Sequence, residues 1–148
     1  MSWDILIALV LATTPTPGAT AAPDPAAAEV VAGPNGYVRV TEIGHPPLGM
    51  AGARAKAIAR ENARTRARER VLKAILALQL KSGKKLEQAL RERPDHRAGL
   101  RAVLNRATLS GAELTGDAVE LTLTVRMDGE GGLGRYLEAV QAAESRDQ

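Results

Sequence analysis

The chain has 148 residues, 20 of them basic and 17 acidic for a net charge of +3, and it is 45% hydrophobic but only 2% aromatic, with no Phe and no Cys. That length holds one domain with one core, filled by Leu, Val, Ile and Ala and stabilised by close packing rather than by large rings. The missing cysteine excludes disulfides, thiolate metal sites, cysteine nucleophiles and lipid attachment through an N-terminal cysteine.

The start reads MSWDILIALVLATTPTPGATAAPDP. An apolar run at 5–12 is followed by Pro17 and Gly18 and then by Ala19-Thr20-Ala21, the order of a secretory signal with a small-residue cleavage site. Asp4 cancels the amino-terminal charge and no Lys or Arg precedes the run, so a retained anchor stays open as the alternative. The run is too short to span a bilayer unaided. The expectation is a signal peptide over 1–21, with its only Trp, Trp3, and a periplasmic or secreted mature protein. Residues 22–36 include Pro23, Pro25 and Pro34 and show no apolar period, which reads as a disordered linker.

The segment YVRVTEI at 37–43 alternates Val38 and Val40 with Arg39 and Thr41 and predicts a strand with one buried face. GHPPLG at 44–49 ends it, because two prolines cannot continue a ladder. A long helix is expected over about 50–81, where Ala55, Ala59, Ala63, Ala67 and Val71 recur every four residues and Ala74 and Leu78 continue the face. A stripe of methyl groups permits close approach to a sheet.

Residues 84–93 and 95–105 read as two short helices broken at Pro94, with Asp95 as an N-cap and Leu86, Leu90, Leu100, Val103 and Leu104 buried. The clearest strand follows, with Val119, Leu121, Leu123, Val125 and Met127 alternating with Glu120, Thr122, Thr124 and Arg126. The segment 106–114 joins it through Thr115-Gly116-Asp117 as a hairpin. A last helix carries Leu133, Tyr136, Leu137 and Val140 on one face, and 144–148 reads as a flexible tail. The expected fold is a single α+β domain over 37–143, a three-stranded, mainly antiparallel sheet packed by one long Ala/Arg-rich helix.

Charge is unevenly placed. Between Arg54 and Lys73 lie eight basic residues against Glu61 and Glu69, so the rest of the chain is net acidic. Arg60, Arg64 and Arg68, spaced by four, form one row that can grip phosphates or an anionic polymer, whereas Arg54, Arg66 and Arg70 project elsewhere. Three readings compete: a solvated helix whose arginine stems cover apolar surface, a grip on an anionic envelope partner, and a nucleic-acid contact. The last is weakened because Tyr37 and Tyr136 are the only aromatics left after cleavage to stack bases.

Other motifs resolve to structure. GEGGLG at 129–134 follows a strand and opens a helix, but no room remains for the second strand of a dinucleotide unit, so it reads as a turn. SGKK at 82–85 has Leu78 where a phosphate loop needs glycine, and Gly83 reads as a left-handed helix stop. His45 and His96 lack ligand spacing, and Ser2, Ser82, Ser110 and Ser145 lack an elbow motif. No catalytic, cofactor-binding or metal-binding residue is expected.

Taken together, the strand, GHPPLG, AGARAKAIARENARTRARERVLKAI with the later Gly83, and VELTLTVRMDGEGGL resemble the bacterial envelope family typified by lipoprotein-20 and the N-terminal domain of the flagellar protein FlgT. The similarity covers about residues 37–137. The resemblance implies a non-enzymatic, secreted or surface-associated structural module, in some members tied to flagellar assembly. Lacking a cysteine, this chain would be a non-lipidated variant. Together with the charge reading, the expected partners are envelope or flagellar proteins or an anionic envelope surface, with Arg60, Arg64 and Arg68 as the binding row. A homo-oligomer is expected if the sheet's far face proves apolar. The alternative function is a cytoplasmic nucleic-acid-binding module using the same helix.

Overall fold

The computed structural model describes residues 27–147; the expected signal peptide and the first part of the expected linker lie outside them. The elements in chain order are β1 (Glu29–Val31), β2 (Tyr37–Gly44), α1 (Ala53–Leu76), α2 (Leu86–Glu92), α3 (Arg97–Asn105), β3 (Thr108–Glu113), β4 (Val119–Arg126) and α4 (Leu133–Arg146). This is an α+β fold with a four-stranded antiparallel sheet in the order β1-β2-β4-β3. The fourth strand, β1, falls in the segment read as linker, and α4 runs into the segment read as a tail. A three-residue strand has no local signature; its ladder to β2, which pairs Val30 with Val38, is what forms it.

One sheet face carries Val38 and Val40 of β2 and Val119, Leu121, Leu123 and Val125 of β4, all buried, and the helices pack there. The methyl stripe of α1 lies on this face: Ala55, Ala59, Ala63, Ala67, Val71 and Ile75 are fully buried. Its amino-terminal half makes a small cluster of Ala59 and Ala63 with Val119 and Leu121. Its carboxy-terminal half joins the main core with α2, α3 and α4. Two polar contacts hold the ends in place. The N–H of Gly52, at the start of α1, donates to Asp117 Oδ2 at 3.0 Å, and Arg70 Nε of α1 lies 2.7 Å from Glu42 Oε1 of β2.

Helix boundaries differ from expectation for tertiary reasons. α1 stops at Leu76 rather than near residue 81, because Leu78 and Leu80 are both buried at a spacing of two, which needs extended chain. That chain turns back on itself, with Leu86 N–H bonded to the Leu78 oxygen and a bridge between Gln79 and Lys85. Gly83 does have a positive φ of 82°, but it makes this turn instead of stopping the helix. Asp95 caps nothing: it sits inside a 3-10 turn, Pro94–His96, and α3 begins only at Arg97 with no side-chain cap.

The far face of the sheet is polar. It carries Tyr37, Arg39, Thr41 and Ile43 of β2 and Glu120, Thr122, Thr124 and Arg126 of β4, and only Ile43 among them is a large exposed aliphatic. The Thr41 and Thr122 hydroxyls meet at 2.9 Å, and Arg39 stacks 4.3 Å over Tyr37. No apolar face therefore calls for a second copy on this side among the described residues.

Tyr136 of α4 ties the helical layer together. Its hydroxyl donates to the His96 carbonyl at 3.0 Å, its ring lies against Gly99, and burial pushes its pKa up to about 12. The unfolded chain ionises this phenol near its ordinary value of 10, so between the two values the folded state holds a proton that the unfolded state has lost. Its stabilisation is complete below about pH 10 and is lost as pH rises through about 12, by roughly 2 kcal/mol. Urea melts across that range should therefore decline more steeply for the native chain than for Tyr136→Phe. Parallel declines would show that the phenol ionises equally easily in both states.

Candidate partner-binding face

The three arginines singled out in the sequence each follow a fully buried alanine of α1, Ala59, Ala63 and Ala67. At 100° per residue, the residue after each stripe alanine projects about 100° to one side of the buried line. That places Lys56, Arg60, Arg64 and Arg68, which follow Ala55, Ala59, Ala63 and Ala67, on a single flank. The start of this flank faces β3, because Lys56 Nζ is 2.9 Å from Glu113 Oε2 at the end of that strand and the Arg60 charge acts on the same carboxylate. The opposite flank faces β2, where Arg70 meets Glu42. The charge does not surround the helix evenly. Seven of its eight cations are sorted into two flanks, with Lys73, Glu61 and Glu69 on the outward face between them, and one flank starts beside the edge of the sheet.

The structure brings the row together and adds a member. Lys56 was missed because the row was counted through arginines, yet its place after Ala55 gives it the same spacing. The hydrogen bond from Lys56, then its charge, holds the Glu113 carboxyl below the usual range, and the nearby charge of Arg60 acts in the same direction. The same contact raises the Lys56 pKa. Arg60, Arg64 and Arg68 are exposed, and among the described residues none of them makes a hydrogen bond or ion pair. Further along the flank the row changes character: Leu72 and Leu76 follow Val71 and Ile75, are half-buried and pack on the main core. Cations occupy the flank where it is open, and leucines where it is covered.

Below the row, β3 is exposed at all six positions. Its register with β4 puts Leu109, Gly111 and Glu113 on the helix-facing side, opposite Leu123, Leu121 and Val119. Leu109 is 41% exposed there, so α1 covers β2 and β4 but not β3.

The remaining motifs have structural roles. Gly129 and Gly131 take positive φ in the turn between β4 and α4, and a Cβ on Gly131 would collide with the Arg106 guanidinium, which donates to the Glu130 carbonyl at 3.2 Å. His45 is exposed in its loop, and among the described residues no group of three or more His, Asp or Glu side chains is placed to hold a metal. A largely apolar cavity of about 360 Å³ lies between Gly33, Leu78, Met127 and Leu137, away from the arginine row. No helix of the described residues is long and apolar enough to cross a membrane. No protein-family model matches the chain, and neither a curated protein nor a solved structure matches it.

Proposed function

We propose that this chain is a non-enzymatic, exported protein of the bacterial cell envelope, a structural or assembly accessory that works by protein contact. Arg60, Arg64 and Arg68 are its contact row. The observation that carries the reading is the state of those three side chains. Lys56 and Arg70, from the same helix, are engaged with Glu113 and Glu42, while Arg60, Arg64 and Arg68, which follow Lys56 in its row, are exposed and make no hydrogen bond or ion pair among the described residues. The export component rests on the apolar run and the Ala19-Thr20-Ala21 site, and the association with flagella on the resemblance to lipoprotein-20 and FlgT.

Two measurements test it. The intact mass of the protein from fractionated native cells should give a periplasmic species beginning at Ala22. A full-length cytoplasmic species would overturn export and favour nucleic acid, which a steep loss of affinity with salt would then confirm. Replacing Arg60, Arg64 and Arg68 together with Glu should abolish capture of the protein's native partner while circular dichroism and melting stay near those of the native chain. Unchanged capture would remove the row from the function.

A further inference from the structure

We propose that the outer edge of β3 is a docking site for an extended acidic polypeptide segment. The segment adds to the sheet as a fifth strand and lays alternate carboxylates beneath Arg60, Arg64 and Arg68. The inference rests on the contact reading above and supplies the chemistry of the partner.

The first support is the edge itself. Edge strands are ordinarily blunted by shortness, proline, lysine or a cover, because their unpaired N–H and C=O groups template further strands. The opposite edge, β1, is blunted by its length of three residues. β3 is six residues long, TLSGAE, with no proline or lysine, and nothing covers it among the described residues. Its backbone is open for the main-chain pairing by which sheets capture extended peptides.

The second support is a precedent within the molecule. Glu113 is a strand carboxylate on the helix-facing side, and it meets the first cation of the row, Lys56, at 2.9 Å. The next two helix-facing positions of β3 are Gly111 and Leu109, which have no charge to offer. One rung of a carboxylate-to-cation ladder is built, and the next three cations make no hydrogen bond or ion pair among the described residues, Arg60 only sharing the field of Glu113. At Gly111 the place of a side chain is taken by Leu121, whose Cδ2 lies 2.5 Å from where a Cβ would stand, so that position adds an apolar surface and no charge.

The third support is spacing. Four residues of helix rise about 6 Å, and two residues of strand advance about 6.7 Å. A strand with Asp or Glu at every second position therefore presents carboxylates in near register with Arg60, Arg64 and Arg68. From Lys56 to Arg68 the helix rises about 18 Å, close to the length of a six-residue strand. Guanidinium groups favour such carboxylates through paired charged hydrogen bonds.

The same charge selects against a second copy. Antiparallel pairing of β3 with β3 keeps both helices on one face of the joined sheet and turns two arginine rows toward each other. Like charges in that arrangement repel.

The test uses the mature chain and three synthetic seven-residue peptides: one alternating Glu and Thr, one with the same composition in blocks, and the alternating peptide N-methylated at every second residue. Fluorescence anisotropy reads affinity, and backbone amide exchange reads protection of residues 108–113. The alternating peptide should bind at least about tenfold more tightly than the other two, weaken with salt and protect the β3 amides. Substituting Glu at Arg60, Arg64 and Arg68 should remove its binding and leave the protein's melting unchanged. Equal binding of the block or N-methylated peptide, with loss in the triple variant, would overturn strand addition while keeping the arginine row as the contact. Binding that survives the triple variant would overturn both. Concentration-dependent dimerisation that protects 108–113 would also overturn the proposal, in favour of a second copy, and the peptide comparisons stand even if the triple variant unfolds.

Discussion

Replacing Gly44 with alanine should lower the unfolding free energy by about 3 kcal/mol, the largest loss expected from adding a single methyl group in this protein. A Cβ at Gly44 would sit 1.8 Å from the Ala59 carbonyl oxygen, 2.7 Å from its carbon and 3.0 Å from the Ala63 Cβ. The obstacle is helix backbone, which cannot rotate aside as a side chain can. The strand and helix must therefore separate, which opens the small cluster of Ala59, Ala63, Val119 and Leu121. Gly49 supplies the control, since it has a positive φ of 77° but open space around it. Its replacement by alanine should cost only about 1 kcal/mol, from the left-handed backbone alone. Urea unfolding of the two variants separates steric from conformational cost. A loss at Gly44 no larger than at Gly49 would mean that α1 is not seated on β2 there.

Removing the cation from the Glu42–Arg70 pair should cost far more than removing the charge from the carboxylate. The Glu42 side chain is 8% exposed and that of Arg70 is 41% exposed. Arg70→Met leaves a buried carboxylate uncompensated, and the expected loss is about 3 kcal/mol. Glu42→Gln leaves Arg70 able to turn to water, with an expected loss of about 1 kcal/mol. The double replacement Glu42→Leu with Arg70→Met should return close to native stability, because an apolar pair of similar volume avoids the desolvation of both ions. The coupling measured by a cycle of Glu42→Leu, Arg70→Met and their double replacement decides the matter. If the double variant loses as much as its single changes added together, the pair is not acting as a buried unit.

These two results bear on the proposed contact surface. Gly44 fixes how closely α1 approaches the sheet, and Arg70 with Glu42 fixes which flank turns toward β2. Together they leave the opposite flank, with Arg60, Arg64 and Arg68, above β3. A variant at either site should therefore weaken partner binding without touching the arginines.

The sequence by itself determined the buried faces that a local period carries, though the α1 period, read on through Leu78, ran past the end of the helix and Leu104 is only partly buried. The four-residue alanine repeat identified the buried line of α1, alternation identified the inner face of β4, and Leu133, Tyr136, Leu137 and Val140 marked the buried face of α4. The row of Arg60, Arg64 and Arg68 was legible for the same reason. Even the burial of Glu42 was latent there, since it shares the phase of Val38 and Val40, but its partner lies on another element. Only the tertiary structure decided what each face meets. It turned GHPPLG from a mere strand stop into the loop behind a close approach of helix backbone to sheet, at Gly44. It formed β1 from a proline- and alanine-rich stretch by pairing it with β2, and it ended α1 at Leu76 so that Leu78 and Leu80 could both enter the core. It also set the head of the row, Lys56 and Arg60, beside Glu113 on an exposed edge strand. A period encodes direction about an element's own axis; the neighbour in that direction comes from contacts between residues far apart in the chain, which no local pattern contains.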